Sequence, residues 1–147
     1  MNALFRSVFV GASLVLASLA ASASESGERV LLTVFSGEGQ IQGTAMNVAT
    51  ALANNDHEVH ILLCGRAGEL ALRDRMPETL EPRTITPREM MEEAMTNGAT
   101  VSVCPLFLPN TAFGRYGTDD FLEQVTEDSS EEMAERLTQA DTRLLSF

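Results

Sequence analysis

Two cysteines and two histidines carry most of the reactive chemistry open to this sequence: Cys64, Cys104, His57 and His60. Cys104 sits in the stretch Gly98 to Asn110, GATVSVCPLFLPN, where a turn glycine precedes a short apolar run and Pro105 follows the sulfur. Ala99, Val101 and Val103 alternate with Thr100 and Ser102, which predicts a strand. The proline biases Cys104 towards extended backbone and denies the ladder its next N–H, so the strand should stop at the cysteine. In an open α/β sheet, ligands and chemistry gather beyond the carboxyl ends of the strands. A thiolate there is a nucleophile, provided its surroundings hold the thiol pKa down.

Cys64 ends a second apolar run, Ile61-Leu62-Leu63. Free cysteine is among the most buried residue types, so we read Cys64 as a packing residue, with a resolving partner for Cys104 as the alternative. An oxidising compartment would permit a disulfide between them, and their spacing leaves that question open. Neither has a C-x-x-C or H-x-x-x-H companion, so zinc is not expected. His57 and His60 flank the start of the run that Cys64 ends. With parallel strands they lie at the opposite edge of the sheet from the cysteines, and we read them as structural.

The elements that position these residues follow from hydrophobic pattern. Val30 to Phe35 is a nearly unbroken apolar run, as expected for a strand covered on both faces. Ser36 to Gly43 contains three glycines and reads as a loop into a helix from Thr44 to Ala53. Its spacing, G-x-G-x-x-x-G, is one residue off the dinucleotide fingerprint, and no acidic residue closes the second strand. A tight turn into a helix whose N-terminus can take a small anion is the preferred reading. Glu58 to Leu63 is the second strand. Ala67 to Arg75 reads as a short helix, followed by a loop punctuated by Pro77 and Pro82. Thr86-Pro87-Arg88-Glu89 combines a cap, a proline at the first helical position and an acid three residues on, and predicts a helix from Pro87 to about Thr96. Thr118 to Val125 reads as a short helix, with any fourth strand there short and poorly marked. Ser130 to Gln139 is a helix with Met133, Ala134 and Leu137 on one face, and Thr142 to Phe147 is a last strand. Strand, helix, strand, helix, strand is the order of a parallel α/β layer.

The N-terminus has the three parts of an export signal: Arg6, an apolar run from Val8 to Leu19, and the small-residue site Ala21-Ser22-Ala23. The run is shorter than the roughly 20 residues a membrane helix needs. We therefore expect a signal peptide over 1–23, a single domain over 24–147, and a periplasmic or secreted location. The formal net charge is −11 and no lysine occurs, which excludes phosphate backbones and anionic membrane surfaces as natural partners.

The order of these motifs, GATVSVCPLFLPN on a third strand after a Thr-Pro-x-Glu helix, with Ala140 to Phe147 (ADTRLLSF) closing the chain, resembles the DsrE/DsrF-like family of small sulfur-relay proteins, including its YchN-like members. The resemblance spans about Val30 to Phe147. It implies a flavodoxin-like or Rossmann-like α/β/α sandwich with a mostly parallel sheet of about five strands, assembled as a homo-oligomer, trimer or hexamer. It also implies a cysteine after the third strand that carries persulfide sulfur, a position that Cys104 occupies, between sulfur donor and acceptor partners and without a cofactor. Two features depart from the family: Leu106, Phe107 and Leu108 stand where some relatives have a second cysteine, and the well-understood relatives lack an export signal. On this reading Cys104 is the sulfur-carrying nucleophile of a sulfurtransferase-type carrier. Arg115, the nearest cation in the following loop, is the candidate to lower its pKa, and Cys64 has a possible supporting role. The alternatives are a non-catalytic oligomeric module that binds a small ligand or protein in the same cleft, and a thiol redox protein that pairs Cys64 with Cys104.

Overall fold

A computed structural model of the chain describes residues 27–111 and 114–147; the proposed export signal lies outside the described residues. Five strands form one parallel sheet in the order β4-β3-β2-β1-β5: β1 Arg29–Val34, β2 Glu58–Leu63, β3 Thr100–Val103, β4 Val125–Glu127 and β5 Thr142–Ser146. This is the expected α/β/α class, and the strand order decides which face each helix covers. From β1 to β4 the chain steps one way across the sheet, so right-handed crossovers place α1 (Gly39–Ala53) and α2 (Pro87–Thr96) on one face. The return from β4 to β5 spans the sheet in the opposite sense and puts α3 (Ser130–Thr138) on the other.

The two faces are filled very differently. On the first, Leu32, Val34, Ile61, Leu63, Val101 and Val103 pack under Ala45, Met46 and Ala49 of α1 and Met91 and Ala94 of α2, with Phe121 sealing one end. Each fully buried large side chain there contributes about 1.5 to 3 kcal/mol. On the second face the buried apolar cluster is small: Leu31, Leu62, Cys64 and Cys104, with Met133 of α3 packed against it. No residue of α3 is buried, so the cover on this side is thin.

Helix α2 begins where its capping pattern says. Thr86 Oγ1 accepts from the Glu89 N–H at 3.2 Å, and the Glu89 carboxylate accepts from the Thr86 N–H at 2.8 Å. A cap of this kind stabilises by about 1 kcal/mol. Ser129 and Glu132 form the same reciprocal pair at the start of α3.

Several expectations are corrected. Helix α1 starts at Gly39 rather than Thr44, so two of the three loop glycines are helical. Glycine costs about 1 kcal/mol in a helix interior, which is why the sequence reads as loop. Gly43 earns its place through packing, because a Cβ there would collide with the Leu80 side chain. The helix expected over Ala67 to Arg75 is a 3₁₀ turn, Gly65–Ala71. The carbonyls of Leu70, Leu72 and Arg73, needed to continue a helix, accept instead from the guanidinium of buried Arg88. The helix expected over Thr118 to Val125 is a shorter 3₁₀ turn, Thr118–Asp120, and Val125 opens β4. In α3 only Met133 meets the core; Ala134 and Leu137 are exposed.

Candidate functional site

Parallel pairing brings the two cysteines together. Register aligns Leu63 of β2 with Val103 of β3, so the next residues, Cys64 and Cys104, stand side by side where the strands end. Both still continue the ladder: the Cys64 N–H donates to Val34 O at 2.8 Å and the Cys104 N–H to Leu63 O at 2.9 Å. Their Cα atoms are 5.0 Å apart and the sulfurs are joined as a disulfide. Cross-strand neighbours in register share a face of the sheet, and adjacent strands run close to 5 Å apart, within the Cα separation a disulfide spans. Cys64 is thus buried as expected, and it is also disulfide-bonded to Cys104.

The pair sits at the carboxyl edge with each residue 7% exposed. Leu31, Leu62 and Met133 surround it, and Met133 Sδ lies 3.8 Å from Cys104 Sγ. Met133 reads in sequence as one apolar position of a helix; only the crossover of α3 reveals that it covers sulfur. Beside it Arg136 of α3 holds Asp128 at 2.8 Å. Asp128 is 2% exposed, so this ion pair fastens α3, the only helix on that face among the described residues.

His60 belongs to the same face, four residues and so two alternations before Cys64. Its Nδ1 lies 2.7 Å from Thr100 Oγ1 and its Nε2 2.7 Å from Ser102 Oγ, so a neutral ring is satisfied on both sides. The structural role expected for His60 fits these contacts. Burial pushes its pKa down to about 4, the Arg136 guanidinium acts in the same direction and Asp128 opposes. A histidine whose folded pKa lies below its unfolded value stabilises the fold at pH above about 6.5, and that contribution is lost as pH falls through about 4. Urea unfolding followed from pH 7 to pH 4 should show a loss on the order of 3 kcal/mol that His60→Gln does not share.

Arg115, expected near the sulfur, has other partners: it pairs with Asp74 at 3.8 Å and lies 5.4 Å from the centre of the Tyr116 ring. Of Leu106, Phe107 and Leu108 in the loop after Cys104, Phe107 and Leu108 are buried and only Leu106, 73% exposed, faces solvent. The loop folds onto its own domain, and the anchor is Phe107 against Gly68. A Cβ on Gly68 would come within 2.5 Å of the Phe107 ring. Gly68→Ala should therefore displace the ring and destabilise the protein by about 1 to 3 kcal/mol in urea, the usual cost of overpacking.

The turn after Cys64 depends on Gly65, whose φ of 55° is in the left-handed region. It leads into a cleft of about 310 Å³ lined by Gly65, Arg66, Glu69, Arg75, Phe107 and Asn110 among others. Arg66, Glu69 and Arg75 also line a neighbouring cleft of about 380 Å³ that reaches Gly37 and Gly39 at the start of α1. The sequence offers no pattern that joins Arg66 to Arg75, since they meet only because the intervening 3₁₀ turn folds back. Among the described residues no group of three or more His, Cys, Asp or Glu is placed to hold a metal ion. No protein-family model matches this chain, and no curated protein sequence matches it.

Proposed function

We propose that this protein handles sulfane sulfur through the Cys64–Cys104 pair, as an exported, DsrE-like carrier of the sulfurtransferase type. The observation that carries the reading is the placement of both sulfurs in register at the carboxyl ends of β2 and β3. When the disulfide is reduced, the Cys104 thiolate attacks the sulfane sulfur of a donor R–S–SH, forms Cys104–S–SH and releases RS⁻. An acceptor thiolate then takes the outer sulfur and leaves the Cys104 thiolate behind. Cys64 sets the lifetime of the loaded state. Its thiolate attacks Cys104 Sγ, the S–S bond to the outer sulfur breaks, HS⁻ leaves and the disulfide re-forms.

A second reading is favoured by the disulfide itself: a thiol redox protein in which the pair exchanges two electrons with a partner dithiol and carries no sulfur. Intact mass separates the two. Reduced Cys64→Ser protein, which cannot close the disulfide, gains one sulfur atom from polysulfide if Cys104 is a carrier and keeps its mass if the pair only exchanges electrons; reduced wild type that neither gains sulfur nor loses two hydrogens excludes both and leaves the binding module. The homo-oligomer implied by the resemblance belongs to the proposal, with Leu106 as the exposed member of the loop available for a contact. A monomer mass by light scattering at micromolar concentration would remove it.

A further inference from the structure

Nine of the ten arginines lie in the described residues, and the chain has no lysine. Arg29, Arg83, Arg115, Arg136 and Arg143 are in ion pairs, and Arg73 and Arg88 donate to backbone carbonyls. Among the described residues Arg66 and Arg75 alone have neither kind of partner, Arg75 lying 5.9 Å from the centre of the Tyr116 ring, and both line the same cleft. Its only other charged side chain is Glu69, and no Glu69 carboxylate oxygen comes within ion-pair distance of either arginine. The position of Arg66 is built in: its side chain passes over Gly37, where a Cβ would lie 2.8 Å from it. In a protein of net charge −11 this cleft holds two arginines and one carboxylate, and the neighbouring cleft that shares them adds Asp74 and Glu78.

We propose that this cleft binds a small thiol bearing two carboxylates and one ammonium, a γ-glutamyl-type peptide thiol by chemistry, and presents its sulfur to the Cys64–Cys104 pair. Two guanidinium forks match two carboxylates, which they bind in bidentate fashion, and Glu69 matches the ammonium. The volume of about 310 Å³ suits a ligand of that size. Gly65 directly follows Cys64 and Leu106 comes two residues after Cys104, so the cleft opens at the end of the sheet where the disulfide lies. The cysteine side chains belong to the opposite face, so the ligand must reach round the strand ends. That calls for a ligand with several bonds between its carboxylates and its thiol, as in a peptide, rather than a compact mercapto acid. The ligand thiolate attacks one cysteine sulfur, the Cys64–Cys104 bond breaks, and its electron pair leaves on the other cysteine. A second thiolate attacks the ligand sulfur of the mixed disulfide, and the two ligand molecules depart as their own disulfide, leaving the protein reduced by two electrons.

This inference rests on the reading of the cysteine pair as reactive, and the test separates the two. The rate of disulfide reduction in the folded protein is measured with glutathione and with neutral mercaptoethanol, for the wild type, Arg66→Gln, Arg75→Gln and Glu69→Gln. Comparing variant with wild type for each reagent cancels the intrinsic reactivity of the thiol. Each arginine variant should slow glutathione about threefold to fivefold and leave mercaptoethanol unchanged. Glu69→Gln should also slow glutathione, through the lost ammonium contact. If all variants react as the wild type does with both reagents, the cleft proposal is overturned while the pair stays reactive. If neither reagent reduces the folded protein, the reactive-pair reading fails, and titration with non-reactive S-methylglutathione decides the site alone. Saturable NMR shifts at Arg66 and Arg75 would then uphold it, and none would overturn it.

Discussion

Cys104→Ser is expected to abolish sulfur uptake from polysulfide, while Cys64→Ser loads one sulfur and keeps it. The asymmetry follows from the roles of the two thiols. Serine at 104 replaces a soft thiolate with a hydroxyl that is not ionised at neutral pH, so no persulfide can form at that position. Serine at 64 leaves the nucleophile in place and removes the neighbouring thiol that would expel the outer sulfur as sulfide. In the wild type that expulsion competes with transfer to an acceptor. Intact mass of each reduced variant after polysulfide treatment reads both outcomes directly. Should Cys64→Ser fail to load while Cys104→Ser succeeds, the two roles are exchanged; should Cys64→Ser lose its sulfur as quickly as the wild type does, Cys64 has no part in release.

Reduction of the disulfide alone should lower stability by about 4 kcal/mol, the loop-closure term for a cross-link over a separation of 40 residues. Typical domains are stable by only about 5 to 15 kcal/mol, so the reduced protein is left with a modest margin. A fall in Tm on the order of 10 °C is expected at this chain length. Urea unfolding with and without reductant measures the difference, and both serine variants should resemble the reduced wild type. A difference under about 1 kcal/mol would mean that the cross-link does not constrain the unfolded chain as the loop-closure argument requires. The margin also bears on function. A carrier must survive in its reduced, loaded state, and the capping boxes of α2 and α3 and the Arg136–Asp128 pair hold the helices in place when the cross-link is open.

Local pattern determined much of this protein. The runs Val30 to Phe35, Glu58 to Leu63, Ala99 to Val103 and Thr142 to Phe147 each became a strand within a residue or two, the first three because β-branched and aliphatic runs bounded by turn residues have few other ways to be buried. Thr86-Pro87-Arg88-Glu89 set the start of α2 through bonds made within four residues of chain. What the pattern could not carry was anything settled by contact between distant segments. Glycines 39 and 43 read as loop because propensity is local, whereas the space beside Gly43 is filled by the Leu80 side chain from a distant loop. The 3₁₀ turn after Cys64 is decided by an arginine on α2 that takes its carbonyls. Above all, pairing of the cysteines depends on strand order and register. A shift of one residue between β2 and β3 would have turned their sulfurs to opposite faces, and no spacing along the chain encodes that alignment. The cysteines themselves, each ending an apolar run, were visible from composition and position; that they face one another, beneath Met133 and near a cleft lined by Arg66 and Arg75, was decided by the packing of the sheet.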